Sequence, residues 1–251
     1  MMSPGADALV ARMRREALRP GSNATVGGFR PPENPLASWL GDVKVAGRHE
    51  RWPDHDGKPM MPVLQVNVGE LPFVPPGLHD LALVTVFIDA EALPAERAAN
   101  GAGWAVRTSA TTDDLVEVRA PAGTIRAKPF PIRWDAFTED FPDWEHVPGP
   151  LAKEFLDLEE QEGISYFDLV ERYDITPEAH YATKVGGYPS PWQASGVNTE
   201  IYASSPTDEP CFVLQIASEE KCGLMWGDNG FLFLERSQAT DDSWFIRWDC
   251  A

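Results

Sequence analysis

The chain is poor in the features that announce chemistry. Its 251 residues hold three cysteines, Cys211, Cys222 and Cys250, without C-x-x-C spacing. An odd, unspaced set implies neither a disulfide framework nor a zinc site, and it suits a reduced, cytoplasmic setting. The five histidines, His49, His55, His79, His146 and His180, are not spaced as metal ligands on one helix face. No stretch approaches the roughly 18–20 apolar residues that a membrane span needs, and Arg12, Arg14 and Arg15 interrupt the N-terminal apolar residues before a secretory core can form. The G-x-S-x-G, G-x-G-x-x-G and P-loop patterns are missing, which removes the commonest hydrolase elbow and the commonest nucleotide cradles. Gly186-Gly187 follows a strand-like stretch, but Tyr188-Pro189 prevents a helix from starting there. We therefore expect no cofactor and no metal.

Bases are also scarce, at 21 Lys and Arg against 39 Asp and Glu, for a formal charge of −18. The excess is uneven. Fourteen acids face two bases between Asp135 and Glu178, whereas eight bases face five acids between Met1 and Arg51. Such a field repels nucleic acid and anionic membrane, and it attracts a basic protein or simply aids solubility.

What is present is a succession of short elements broken by 23 prolines and 20 glycines. Leu9, Met13 and Ala17 recur at helical spacing over residues 6–18 and Pro20-Gly21 follows, so 20–36 reads as a connector. Strands are expected at Leu40–Gly47, Val63–Val68, Leu81–Ile88, Trp104–Thr108, Leu115–Arg119 and Thr124–Trp134, with a short helix at Glu91–Ala99. Leu81–Ile88 is almost unbroken in its apolarity, as a central strand buried on both faces would be. Asp54, Asp56 and Gly57 begin like a calcium loop, but Lys58 and Gln65 fall where oxygen ligands are needed, so a tight Asp-Gly turn is expected instead. Leu151, Phe155 and Leu158 share a helical face, and Ser165 with Asp168 can start a second helix. Strands follow at about 183–187, 199–203, 211–217, 231–236 and 243–249, with an Asp228-Asn-Gly230 turn before Phe231.

An internal echo organises these pieces. Lys44-Val-Ala-Gly47 stands eight residues before Trp52, as Lys184-Val-Gly-Gly187 stands eight before Trp192. Pro62-Val-Leu-Gln65-Val66 then answers Phe212-Val-Leu-Gln215-Ile216. The expectation is an α+β protein, internally duplicated, with mostly antiparallel sheets. Residues 1–35 form an N-terminal helix and connector, and 36–251 one domain. Within that domain, pseudo-repeats at about 40–135 and 180–251 flank an acidic helical bridge at 136–179.

The motifs Trp52-Pro, Gly57-Lys-Pro59, Glu70-Leu-Pro72, Val86-Phe-Ile-Asp89, Lys184-Val-Gly-Gly187-Tyr-Pro189, Leu214-Gln215-Ile216 and Trp226-Gly-Asp228 follow one another as they do in the YwqG-like proteins. The resemblance covers roughly residues 35–240, with Ala46 standing where that family usually carries glycine. It implies a bacterial domain of unknown function with a duplicated, antiparallel α+β architecture. Proximity of some relatives to toxin–immunity genes points faintly to protein binding.

The candidate binding residues are Lys44, Trp52, Gln65, Lys184, Trp192, Gln215, Trp226 and Asp228. A glutamine in an apolar strand must satisfy its donors and acceptor, so Gln65 and Gln215 either hold neighbouring loops or converge with Trp52, Trp192 and Trp226 around a cleft between the halves. The leading expectation is a cytoplasmic protein-binding or immunity-type module whose acidic, tryptophan-containing surface docks a basic partner. The alternative is a small-molecule or carbohydrate site between the halves, with hydrolysis through carboxylates such as Asp228 and Asp89.

Overall fold

The apolar stripe near the N-terminus does form a helix. The computed structural model describes residues 4–175, 182–190, 210–237 and 243–251. Helix α1 (Pro4–Glu16) buries Ala6, Leu9, Val10 and Met13. It packs on α2 (Gly149–Glu162) and α3 (Tyr166–Arg172), whose Leu151, Phe155, Leu158, Tyr166 and Leu169 complete a helical core. Gly163 ends α2 in the left-handed region, and Ser165 caps α3 in a reciprocal pair with Asp168. The basic side of α1 meets the acidic side of α2 where Arg12 bonds Glu154. None of the described helices is long and apolar enough to cross a membrane.

The strands are β1 (Arg19–Val26), β2 (Trp39–Leu40), β3 (Val45–Gly47), β4 (Asp54–His55), β5 (Lys58–Pro59), β6 (Met61–Asn67) and β7 (Leu83–Ile88). They continue with β8 (Trp104–Ser109), β9 (Leu115–Glu117), β10 (Phe130–Asp140), β11 (Lys184–Gly186), β12 (Cys211–Ala217), β13 (Phe231–Arg236) and β14 (Trp244–Asp249). Ten of them make one sheet in the order β14-β13-β12-β11-β1-β10-β2-β6-β7-β8, and every described pairing is antiparallel. The protein is thus α+β and mostly antiparallel, with three α-helices among the described residues.

Several expected elements change. Residues 20–26, read as part of a connector, belong instead to β1, which pairs with both β10 and β11 at the centre of the sheet. Pro20-Gly21 is tolerated there because the register shifts between Arg19 and Gly21 and because the ring of Phe137 fills the space a side chain would need. The strand expected at 124–134 runs instead from 130 to 140, so part of the acidic stretch assigned to a helical bridge belongs to β10. Chain from both sides of α2 and α3 enters one continuous sheet rather than two. The strand expected at 40–47 divides into β2 and β3, and no helix forms at 91–99. The strand expected at 199–203 lies outside the described residues. Leu83–Ile88 is buried at every position, between β6 and β8. Asp56 and Gly57, both at positive φ, make the expected tight turn of the β4–β5 hairpin.

A sheet this wide must dispose of its two ends, and residues 94–101 serve both. The Arg97 amide donates to the Ile246 carbonyl on the outer side of β14 at 3.0 Å. The Asn100 side chain accepts from the Val106 amide at 3.1 Å and donates to the Val106 carbonyl at 3.0 Å, occupying the outer side of β8. The Trp104 indole N–H reaches the Ala98 carbonyl from within the core. Arg247 adds ion pairs to Glu96 and to the buried Glu235, and Arg236 spans from β13 to Asp80. The sheet is therefore nearly closed around Val86, Trp104, Leu214, Trp226, Leu234 and Ile246.

A Cβ at position 21 would lie 2.2 Å from Phe137 Cζ. Gly21→Ala is expected to cost about 1–3 kcal/mol of unfolding free energy, measured by urea denaturation, and Phe137→Leu in the same chain should recover part of the loss.

Candidate functional site

The two strand glutamines come first, because the sequence singled them out. Gln65 is fully buried in β6. Its Oε1 accepts from the amides of Lys44 (2.8 Å) and Val45 (3.2 Å), and its Nε2 donates to the carbonyls of Pro35 (2.8 Å) and Ala37 (2.7 Å). That is the full hydrogen-bonding capacity of an amide. Gln215, equally buried in β12, accepts from the Ser190 amide at 2.8 Å and donates to the Ala182 carbonyl at 2.9 Å. Two residues on, the Asn67 amide donates to Ser38 Oγ and the Ala217 amide donates to Thr183 Oγ1, each at 3.0 Å.

The same pattern therefore occurs twice, though in a register the sequence does not suggest. Opposite Gln65 stands Trp39, and opposite Gln215 stands Lys184. Gly41 and Gly186, two residues beyond each, have φ of 80° and 77°. Trp39 is thus the counterpart of Lys184, and Lys44 lies five residues further along the chain.

Lys184 is wholly buried, with Nζ 3.1 Å from Asp140 Oδ2 and 3.0 Å from Ser190 Oγ. The Tyr188 amide donates to the same carboxylate oxygen at 2.7 Å. Burial pushes the Lys184 pKa below the ordinary lysine range, and Asp140 opposes that shift. With no solvent exposure the ammonium ties β11 to β10 and does not face a ligand entering from solvent. Lys44 lays its ammonium 3.2 Å from the Trp39 ring centre. Trp52 donates to the Met60 carbonyl and meets Phe87 edge-on, beside a hollow of only 20 Å³. Trp192 lies outside the described residues.

Elsewhere the structure opens. A groove of 420 Å³ lies at one end of the sheet, between residues 61–127 of the first half and the 222–226 segment joining β12 to β13. Met61, Ile88, Leu93, Leu224 and Trp226 supply apolar lining, and Asp89, Glu91 and Arg126 bring charge. Ile125 and Met225, 53% and 46% exposed, stand at it. Trp248, 37% exposed, bonds the Pro94 carbonyl next to Leu93. Trp226 is itself 2% exposed, and its indole N–H finds no acceptor among the described residues. Asp228 is exposed in the turn that follows and does not line the groove.

A second cavity of 180 Å³ adjoins it beneath the β4–β5 hairpin, sharing Asp89, Ala90, Glu91 and Ile125. Here His55 Nδ1 lies 2.9 Å from Asp89 Oδ2, and Lys58 Nζ lies 2.7 Å from both Glu91 oxygens. The Glu91 amide and then His55 hold the Asp89 carboxyl below its usual range, while Asp89 raises the His55 pKa. Among the described residues no three His, Cys, Asp or Glu groups could hold a metal ion. Cys222 lines the groove, but burial pushes its thiol up to about 12, so it is protonated at neutral pH and a poor nucleophile.

Of the candidate residues among those described, then, only Trp226 lines the large groove, while Lys44, Trp52, Gln65, Lys184 and Gln215 are engaged in the scaffold. His55, Glu91, Ile125 and Met225 were not singled out by sequence. The Asp-Gly turn places His55 opposite Lys58 and so carried a signal, whereas Ile125 and Met225 come to one groove from positions about a hundred residues apart and carried none.

Gln65→Leu strands two amides and two carbonyls in the interior. It is expected to cost at least about 2–4 kcal/mol, whereas Lys44→Met, which removes a cation–π contact, should cost under about 1 kcal/mol. Parallel urea titrations of the two variants test this.

Residues 41–250 match the model of a domain of unknown function, DUF1963. Comparison with curated proteins gives no match. The matched segment covers well over half the chain and includes the groove, both strand glutamines and the sheet-closing segment, and on that basis the protein belongs to the DUF1963 family.

Proposed function

We propose that the chain is a YwqG-like, internally duplicated binding module that acts in the cytoplasm and docks a segment of a protein partner in the groove at the end of the sheet. The observation that carries this reading is the groove itself. A groove of mixed apolar and polar lining, contributed by both halves, lies among Ile125, Met225 and Trp248, three of the five large apolar side chains exposed among the described residues. Apolar patches with a polar rim are typical of protein-docking surfaces. Asp89 and Glu91 outnumber Arg126 in the groove and, within a chain of charge −18, favour a basic segment. An immunity-type role is one form such docking takes.

Duplication is supported by the repeated hydrogen-bond set around Gln65 and Gln215, and by the order of strands. Four strands from the second half and four from the first flank the central β1–β10 pair. The small-molecule or carbohydrate reading, with hydrolysis through Asp89 and Asp228, has less support because those carboxylates do not share the groove.

Panning a displayed random-peptide library against the protein tests the docking reading. Enriched peptides are expected to pair an apolar residue with Lys or Arg, and to bind about tenfold more weakly in high salt. Ile125→Asp should weaken them by about tenfold or more with an unchanged melting temperature, since Ile125 is exposed. No enrichment, or binding indifferent to Ile125→Asp, defeats the reading.

A further inference from the structure

We propose that the cavity beneath the β4–β5 hairpin is a subsite for a guanidinium or ammonium side chain of the docked segment, and that His55 and Lys58 occupy its two carboxylates until that side chain displaces them. This inference rests on the docking reading above and specifies the chemistry of one part of the same site.

Four observations carry it. The cavity and the groove are adjoining spaces that share Asp89, Ala90, Glu91 and Ile125, so a segment lying against Ile125 presents its next side chain to Asp89 and Glu91. At 180 Å³ the cavity has room for a single long side chain. One of its two carboxylates is held independently of the hairpin, because the Glu91 amide donates to Asp89 Oδ1 at 2.8 Å and orients that group. Their present partners, by contrast, come from a hairpin of two-residue strands, and both pairs are solvent-exposed at 36% and 66% on the His55 and Lys58 side.

Exposed ion pairs of this kind contribute little to stability because water and salt compete for both partners. A planar guanidinium that bonds a carboxylate in two places, and is held there by an apolar neighbour in the groove, competes well against them. The internal cations thus act as weak stand-ins for the incoming one. They keep the carboxylates neutralised without a partner and set a threshold against segments that carry no basic residue.

The arrangement also has a defined pH dependence. His55 faces Asp54, Asp56 and Lys58 on its own hairpin and Asp89 and Glu91 across the cavity, while residues 123–125 opposite bring no titratable group. Protonated, His55 competes for Asp89. As pH rises through its elevated pKa, that competition is lost, whereas Asp89, held low by the Glu91 amide, stays ionised throughout. Binding of a permanently charged group should therefore tighten from acid to mildly alkaline pH.

The probes are acetyl-Leu-Arg-amide and its neutral match acetyl-Leu-citrulline-amide, titrated into the full chain and followed by NMR at Ile125 and Met225. The arginine peptide is expected to bind about three- to tenfold tighter, with the advantage removed in D89N/E91Q and enlarged in H55Q/K58Q. Its affinity should rise between about pH 5.5 and pH 8 in the unmodified chain and stay flat in H55Q. If both peptides perturb the groove equally and D89N/E91Q changes nothing, the subsite is refuted while docking stands. If neither peptide perturbs Ile125 or Met225, both readings fall. Amide spectra of each variant, overlaid on that of the unmodified chain, establish that altered binding does not come from misfolding.

Discussion

Unpaired backbone at the two ends of a ten-stranded sheet is the constraint on which the rest of this molecule depends. Strand edges present rows of amides and carbonyls that bond to other chains unless something occupies them. Here one short segment, residues 94–101, meets β14 through the Arg97 amide and meets β8 through the Asn100 side chain. Asn100 does what a neighbouring strand would do at Val106, without a strand. Closing the sheet in this way brings residues far apart in sequence into one core, and it leaves the groove beside Leu93 and Pro94, where the closing segment begins.

The interior repeats the same logic with side-chain amides. Residues 35–45 and 182–190 run past β6 and β12 without forming full ladders, so their amides and carbonyls need partners from elsewhere. Gln65 and Gln215 supply them. Lys184 and Asp140 are costlier, since two charges are removed from water between β11 and β10. Lys184 bonds Asp140 and Ser190, and Asp140 Oδ2 also accepts from the Tyr188 amide, so the pair joins the second-half strands to the centre of the sheet. The polar residues that looked most like a site are therefore chiefly what lets irregular chain lie against a buried sheet.

The proposed docking surface is built differently. It combines exposed Ile125, Met225 and Trp248 with carboxylates whose partners are themselves exposed. Burial separates the two classes. Lys184 cannot leave its carboxylate without stranding a charge in the core, whereas His55 and Lys58 can turn to water.

By itself the sequence determined the local elements. Apolar spacing set α1 and α2, the Ser165–Asp168 pair set the start of α3, Asp56-Gly57 set a turn, and the almost unbroken Leu81–Ile88 run set a strand covered on both faces. That Gln65 and Gln215 need hydrogen-bond partners was also legible, because a strand amide in apolar surroundings cannot be left unbonded, but whether those partners are loop backbone or a ligand in a cleft was not. Tertiary structure alone decided that Pro20-Gly21 enters the central strand, since only the distant Phe137 ring makes glycine fit there. It alone set the register that matches Trp39 with Lys184 in place of Lys44. It alone brought Ile125 and Met225 to one groove and His55 onto Asp89, because periodicity reports which face of an element is buried but not which distant element covers it.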